Sequence, residues 1–233
     1  MHAGGLYKNQ TYTNSIEAFE KNSKYIKYLE IDFQLTKDYK LVCSHDDITN
    51  TYTYKKFLKE NKKKEIKECD YKSLSEWLKK NPNKIIITDV KSNNNLEALE
   101  FIQNNFENFH KNFIPQIYDP ENYELVKNMG YENIIWTLYK YKRTKDNFNK
   151  ITNIAKKKKF FAITMPPDVA IKGLSEKIKK ETNSKVLVHT INFRRDVAEL
   201  VFFYNVTDIY TDRLLNDINN IFSWFWKKII LND

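Results

Sequence analysis

Two carboxylates inside an apolar run are the first residues of this sequence that could do chemistry. Glu30 and Asp32 lie two positions apart, so both side chains would point to the same face of a β-strand. Neighbouring carboxylates repel each other unless a positive charge lies between them, and a hard divalent cation prefers oxygen ligands of this kind. The pair therefore predicts a cation site, with a solvent-facing acidic pair on an edge strand as the alternative interpretation.

An acidic and a basic residue repeat this spacing after three consecutive isoleucines at positions 85–87. Asp89 and Lys91 share one face of that run, and a structural ion pair is one interpretation of them. On a strand close to Glu30 and Asp32, Asp89 would instead be a third ligand for the cation. Lys91 would then supply positive charge for an anionic substrate.

The chain contains only four histidines, and two of them stand where catalytic groups are expected. His45 ends a short apolar run, and His2 precedes two adjacent glycines. Beside a carboxylate cluster, two histidines predict a general acid and a general base. His189 lies in a third apolar run, whereas His110 lies in a helix-type run and has no predicted role.

Composition and charge exclude several classes of protein. The 233 residues carry 39 Lys and Arg against 30 Asp and Glu, a formal net charge of +9. Nearly all of the positive charge is lysine, whereas nucleic-acid recognition favours arginine, so we predict no nucleic-acid partner. A hydrophobic content of 41% excludes a disordered chain. No apolar run reaches the roughly 18 residues that a membrane-spanning helix needs, so we predict no transmembrane segment and a cytoplasmic location.

The two cysteines, Cys43 and Cys69, form no CxxC motif. We therefore predict two ordinary reduced thiols in preference to a zinc site or an essential disulfide. No feature of the sequence indicates an oligomeric state.

Short apolar runs of strand type alternate with longer amphipathic runs of helix type. This alternation predicts βαβ units and a parallel sheet. The predicted strands are 28–34, 41–45, 84–90, 113–117, 134–139, 160–164, 185–191 and 208–210. The predicted helices are 15–25, 73–80, 96–109, 121–129, 145–158, 169–182 and 194–204. A last apolar run, 216–231, predicts a helix that either closes the fold or lies at a membrane interface.

One connection, residues 35–40, is too short for a parallel crossover, so 41–45 is predicted to be the return arm of a hairpin. Seven parallel strands then remain, and a strand ending at His2 would make the eight of a closed barrel. No glycine-rich phosphate loop follows a strand, which disfavours an open, doubly wound sheet. We predict one domain over residues 1–233, an α/β protein of the TIM-type (β/α)8 barrel. Its first strand would be short or missing, and an extra hairpin arm would follow its second strand.

Seven ordered segments, covering residues 2 to about 213, resemble the glycerophosphodiester phosphodiesterase family. This family lies within the phosphatidylinositol-phospholipase-C-like superfamily. The segments are HAGG at 2–5, YTNSIEAF at 12–19, EIDFQLTKD at 30–38, LVCSHD at 41–46, TDVK at 88–91, HTIN at 189–192 and DIYTD at 208–212. The four segments within the first 46 residues are highly specific, whereas the later ones are individually weak but stand in the family's order.

The resemblance implies a TIM barrel that hydrolyses a small-molecule, glycan-derived or lipid-derived phosphodiester with one divalent cation, Ca²⁺ or Mg²⁺. By this likeness the acid–base pair is His2 and His45, the cation ligands are Glu30, Asp32 and Asp89, and the phosphate is bound by Lys91, Asn14 and His189. In the family, a neighbouring hydroxyl of the substrate typically attacks phosphorus and gives a cyclic phosphate, which water then opens.

The chain departs from the family pattern at three positions. Ala3 stands where an arginine is usual, Asp89 where a glutamate is usual, and His189 where an aromatic residue precedes Thr190. Together these changes resemble an HAGG-type variant of the family and indicate a shift of substrate, with His189 supplying part of the missing positive charge. Because the first strand of the family normally ends at the first histidine, we also expect a truncated or excised chain. A non-catalytic binding barrel and a nucleic-acid-binding module remain the alternatives.

Overall fold

A computed structural model of the chain describes residues 1–90, 95–106, 108–139, 141–142 and 144–213, with the side chain of residue 145 left out. Eight strands form one curled sheet in the order β2-β1-β3-β4-β5-β6-β7-β8, in which β2 is antiparallel to β1 and the other pairs are parallel. The strands are β1 (Tyr28–Leu35), β2 (Leu41–Cys43), β3 (Ile85–Asp89), β4 (Phe113–Ile117), β5 (Ile135–Thr137), β6 (Ala162–Met165), β7 (Lys185–Val188) and β8 (Asp208–Ile209). Each of the eight predicted strands is therefore confirmed, with ends that differ by up to three residues from the predicted ones.

The helices lie between the strands as predicted, with one addition. They are α1 (Ile16–Asn22), α2 (Tyr54–Lys63), α3 (Tyr71–Lys80), α4 (Asn95–Asn105), α5 (Tyr123–Asn128), α6 (Lys145–Lys157), α7 (Pro167–Val169), α8 (Ser175–Glu181) and α9 (Arg194–Phe203). The prediction missed α2 because this lysine-rich segment buries a single hydrophobic side chain, that of Phe57. The predicted helix 169–182 is interrupted at Gly173, which takes a left-handed φ of 98°.

The N-terminal residues connect the two ends of the parallel sheet. The carbonyl of Met1 accepts a hydrogen bond from the Glu30 amide at 2.7 Å, and the His2 amide donates to the Thr211 carbonyl at 3.0 Å. Residues 1–2 therefore lie between β1 and the end of β8, where the sequence predicts a short first strand. The predicted TIM-type (β/α)8 barrel, with its hairpin arm β2, is confirmed.

Alternation along the strands separates two hydrophobic layers. The larger layer lies between the strands and the helices, and includes Ile31 and Ile86. The smaller one fills the inner face of the barrel and consists of Ile87, Ile114, Ile135, Ala162, Leu187 and Tyr210. Because alternate residues face opposite ways, Asp89 follows Ile87 on the inner face, and its ladder partner Asp32 shares that face.

The prediction of two reduced thiols is wrong, because Cys43 and Cys69 form a disulfide. The hairpin arm β2 places Cys43 next to the segment that precedes α3, where the Cys43 amide donates to the Cys69 carbonyl at 2.8 Å. The two Cα atoms are 5.2 Å apart, within the range that a disulfide spans. The sequence separation of 26 between the cysteines hid this proximity from the sequence pattern.

Two predictions fall on residues outside the described ranges. Lys91, the predicted phosphate ligand, is one, and the predicted C-terminal helix 216–231 is the other. Among the helices that the structure does describe, none combines the length and the apolar character needed to cross a bilayer.

Candidate active site

Three carboxylates meet on the inner face, near the end of the parallel ladder between β1 and β3. Glu30 and Asp32 lie on β1, Asp89 is the last residue of β3, and one oxygen from each lies within 4.8 Å of the others. All three side chains are buried. The alternative of a solvent-facing acidic pair is therefore wrong for Glu30 and Asp32.

Neutral donors hold the two carboxylates of β1. The Ala3 amide donates to Glu30 Oε2 at 2.6 Å, from a tight turn in which Ala3 has a left-handed φ of 46°. The Asn14 side chain binds Asp32 twice, because its Nδ2 donates to Asp32 Oδ2 at 2.9 Å and its Oδ1 accepts from the Asp32 amide at 3.1 Å. The N-terminal loop thus orients both carboxylates without adding charge.

Asp89 has a neutral donor of its own on the next strand. The hydroxyl of Tyr118, the residue after β4, donates to Asp89 Oδ1 at 2.7 Å. Burial and the negative charge of Asp89 raise the pKa of Tyr118 far above its usual range, so the phenol keeps the proton that it donates. Tyr118 therefore fixes one oxygen of Asp89.

The electrostatics of the cluster suit a bound cation. Burial, followed by the charge of Asp32, raises the pKa of Glu30 to about 8. Glu30 Oε1 is buried and has no hydrogen-bond partner among the residues described. Such an oxygen is costly unless something pairs with it, and a hard cation with carboxylate ligands would do so. The three residues therefore fit the predicted divalent cation.

His2 lies beside this cluster in a chain of hydrogen bonds. Its Nδ1 donates to Asp212 Oδ1 at 2.9 Å, and Asp212 Oδ2 in turn accepts from the Asn192 side chain at 2.9 Å. The other ring nitrogen, Nε2, lies 4.0 Å from Glu30 Oε2. Burial lowers the pKa of His2, but the bond to Asp212 and the charges of Glu30 and Asp212 outweigh burial, so its pKa lies above the usual value.

His45 reaches the same end of the barrel on the hairpin arm. Because β2 runs back along β1, the amide of Ser44 donates to the Asp32 carbonyl at 3.0 Å. His45 follows directly, with its side chain 37% exposed and its Nδ1 3.5 Å from Asp46 Oδ1. Its ring packs on Tyr12 at 4.5 Å between centroids, and Tyr12 also contacts the His2 ring at 5.0 Å.

His189, a predicted phosphate ligand, is buried after β7. Its Nδ1 lies 2.7 Å from Thr164 Oγ1, and its ring packs on Tyr139 with centroids 4.2 Å apart. Tyr210, the residue after β8, contacts the same imidazole, with centroids 6.1 Å apart. His189 thus belongs to an aromatic wall at the C-terminal end of β7.

Three site residues were missed by the sequence analysis: Asp212, Tyr118 and Tyr12. Asp212 and Tyr12 stand inside the segments of family resemblance, so their position was visible, but no spacing rule connects them to a histidine. Tyr118 directly follows a predicted strand, which is where barrels carry their functional groups. That rule could have singled out Tyr118, although it could not reveal the contact with Asp89.

The fold and the site define a (β/α) barrel with a buried acidic cluster and a histidine at the C-terminal ends of its strands. A family model described as the glycerophosphoryl diester phosphodiesterase family matches residues 3–215. The chain belongs to this family and is accordingly a phosphoric diester hydrolase. No curated protein sequence matches the chain.

Solved structures of the family share the fold at low sequence identity. A glycerophosphodiester phosphodiesterase from Parabacteroides distasonis is 16% identical with a TM-score of 0.73, covering 95% of each chain. A second one from the same organism is 18% identical with a TM-score of 0.64, covering 96% of this chain and 85% of that one. A phosphodiesterase from Oleispira antarctica, solved with its product sn-glycerol-3-phosphate, is 12% identical with a TM-score of 0.71 and 95% coverage of both chains.

Proposed function

We propose that this chain hydrolyses a glycerophosphodiester, or a related alcohol phosphodiester, with one divalent cation and two catalytic histidines. The cation, Ca²⁺ or Mg²⁺, would be held by Glu30, Asp32 and Asp89. The observation that carries the proposal is the buried cluster of these carboxylates, in which Glu30 Oε1 has no hydrogen-bond partner among the described residues. When bound, the cation offsets negative charge on the phosphate oxygens and on a developing alkoxide.

The histidines would move the protons of the reaction. In the first step, a hydroxyl of the substrate that neighbours the ester attacks phosphorus, and the bond to the leaving alcohol breaks. One imidazole takes the proton of the attacking hydroxyl, while the other gives a proton to the leaving alkoxide. In the second step, water opens the cyclic phosphate and the two imidazoles exchange roles, so that His2 and His45 return to their initial protonation.

The neighbouring residues would keep these groups in their working orientation. Asp212 holds the His2 ring with Nε2 toward the carboxylate cluster. Asn14, predicted from the family resemblance to bind phosphate, holds Asp32 through two hydrogen bonds, and we propose that it acts on the substrate chiefly through that ligand. Lys91 and His189 stay proposed phosphate ligands.

The test is a panel of phosphodiesters followed by ³¹P NMR, in EDTA and then with Ca²⁺ or Mg²⁺ added. We expect glycerophosphocholine to be cleaved only with a cation, through a transient cyclic phosphate signal. Propyl phosphocholine is the matched control substrate, because it lacks the neighbouring hydroxyl. Its cleavage at an equal rate would contradict the cyclic route, and full activity in EDTA would contradict the role of the cation.

The Glu30→Gln variant tests whether cation binding and turnover depend on the same carboxylate. It keeps the size of the side chain and removes its charge, so we expect loss of both cation binding and turnover. Cation binding by the wild-type chain without turnover of any diester would favour the non-catalytic barrel instead. Calorimetry with the cation alone, run beside the ³¹P assay, distinguishes the two outcomes.

A further inference from the structure

His45 has few restraints in the described part of the chain. Among the described residues, its one polar side-chain contact is with the adjacent Asp46, at 3.5 Å, and the Asp46 side chain is 84% exposed. An exposed contact of this length contributes little to orientation. An imidazole that must meet a substrate oxygen needs a defined position, so another group has to supply it.

The ring of Tyr12 is that group. It lies 4.5 Å from the His45 ring between centroids, with a tilt of 56°, and 5.0 Å from the His2 ring in an edge-to-face contact of 87°. Both separations lie in the range of favourable aromatic pairs. One tyrosine ring therefore contacts both proposed catalytic histidines.

The backbone around Tyr12 is held in an uncommon conformation. Tyr12 and Asn14 have left-handed φ values of 60° and 46°, which cost energy in residues other than glycine. Two hydrogen bonds to Asp32 fix Asn14, so the position of the loop two residues from Tyr12 is set by the carboxylate cluster. The Tyr12 ring is thereby tied to the proposed cation ligands.

We propose that Tyr12 is a positioning residue that fixes the imidazole of His45 relative to that of His2. The inference rests on the proposed function, since it concerns how His45 reaches the substrate. The positioning is done by the aromatic ring, through its contacts with both imidazoles. Removing the ring therefore lowers turnover and leaves cation affinity unchanged.

The test compares Tyr12→Ala with Tyr12→Phe, and Tyr25→Ala serves as the matched surface control because Tyr25 is 68% exposed. We expect Tyr12→Ala to lower kcat about 10- to 100-fold, with KM and the Kd of the cation changed by less than about threefold. Tyr12→Phe keeps the ring and should restore kcat to within about threefold of the wild type. An equal loss in Tyr12→Phe would overturn the proposal, because the hydroxyl would then be the essential group.

The NMR chemical shift of the His45 imidazole protons reports the ring contact directly, and a loss of stability alone would not change it. With four histidines in the chain, His45→Gln assigns the His45 signal by its disappearance. At a pH where the imidazole is neutral, the ring current of Tyr12 should shift this signal, and Tyr12→Ala should remove the shift while Tyr12→Phe keeps it. An unchanged His45 signal in Tyr12→Ala would show that the contact is absent and would overturn the proposal.

A double-mutant cycle separates this inference from the proposed function. If Tyr12 acts through His45, adding Tyr12→Ala to His45→Gln should lower kcat by no more than about twofold further. Wild-type activity in His45→Gln would contradict the proposed acid–base role itself. Loss of activity in His45→Gln together with wild-type kcat in Tyr12→Ala would contradict only the positioning role of Tyr12.

Discussion

The two proposed catalytic histidines are held by different kinds of contact. His2 is 12% exposed and lies in a hydrogen-bond chain with Asp212 and Asn192. His45 is 37% exposed and lies on a loop, against one aromatic ring and one exposed carboxylate. The His2 side is therefore built from buried polar bonds, and the His45 side from packing on the surface.

This difference predicts how the contacts of each histidine respond to mutation. Buried polar bonds are costly to break, because the partner left behind loses its hydrogen bond without regaining water. A surface ring contact instead depends on the loops that carry it, and so on whatever fixes those loops. His45 lies two residues after Cys43, whose disulfide links β2 to the segment before α3.

The largest expected effect comes from removing each imidazole in turn. His2→Gln and His45→Gln should each lower kcat about 10²- to 10⁴-fold, because both proton transfers are needed in each step. Steady-state rates by ³¹P NMR or coupled assay would measure this, with the cation Kd as the control. Comparable losses of kcat would show that both histidines take part in proton transfer, although they are held by different contacts. A loss of kcat in the His2 variant alone would show that His45 is not needed for proton transfer.

Reducing the disulfide should destabilise the fold that carries the His45 loop. Opening the Cys43–Cys69 link should lower the free energy of unfolding by about 2–4 kcal/mol, since the unfolded chain gains freedom. Urea unfolding with and without reductant measures the change. The double variant Cys43→Ala/Cys69→Ala is the control and should not respond to reductant, and an unchanged midpoint in the wild type would refute the prediction.

The carboxylates that contact the two histidines, Asp212 and Asp46, can each be neutralised to compare the buried contact with the exposed one. Asp212→Asn should lower kcat about 10- to 100-fold, because an amide no longer holds the His2 ring as a charged acceptor. Asp46→Asn is the matched change at His45 and should stay within about twofold, since its contact is long and exposed. Equal losses of kcat in the two variants would show that the exposure of the carboxylate does not decide how much it contributes to catalysis.

The last expected effect is a pH dependence of stability on the His2 side. In the folded state without a cation, burial raises the pKa of Glu30 from its usual 4.5 to about 8, so the folded chain holds a proton that the unfolded chain releases between these values. Stability in EDTA should therefore fall as pH rises from about 4.5 to 8, with Glu30 alone contributing at most about 1.4 kcal/mol per pH unit. The raised pKa of His2 acts in the same direction.

Urea unfolding across this pH range measures the slope. Glu30→Gln should flatten it, and a divalent cation should reverse it, because binding requires the carboxylates to be deprotonated. A steep fall in Glu30→Gln equal to that of the wild type would assign the slope to other groups.

Much of the fold was predictable because it depends on local periodicity. Alternating apolar runs located all the strands, and the short 35–40 connection required the hairpin arm β2. The helix α2 was missed because lysines cover most of its surface. The disulfide was missed because it depends on where two distant segments pack.

The candidate site was predictable to the extent that it follows strands. Glu30, Asp32 and Asp89 meet because a two-residue spacing and parallel register place them on one face. Asp212, Tyr118 and Tyr12 were not assigned, since each acts through a contact between elements distant in sequence. The placement of Lys91 lies outside the described residues.

The sequence by itself therefore determined the barrel, its hairpin arm and the residues that could bind a cation, because strand alternation and residue chemistry are local properties. Only the tertiary structure decided which neutral donor holds each carboxylate, which partner orients His2, and that a tyrosine ring contacts both histidines. These contacts join the N-terminal loop, β1, β3 and the end of β8, and such long-range pairings leave no periodic signal in the chain.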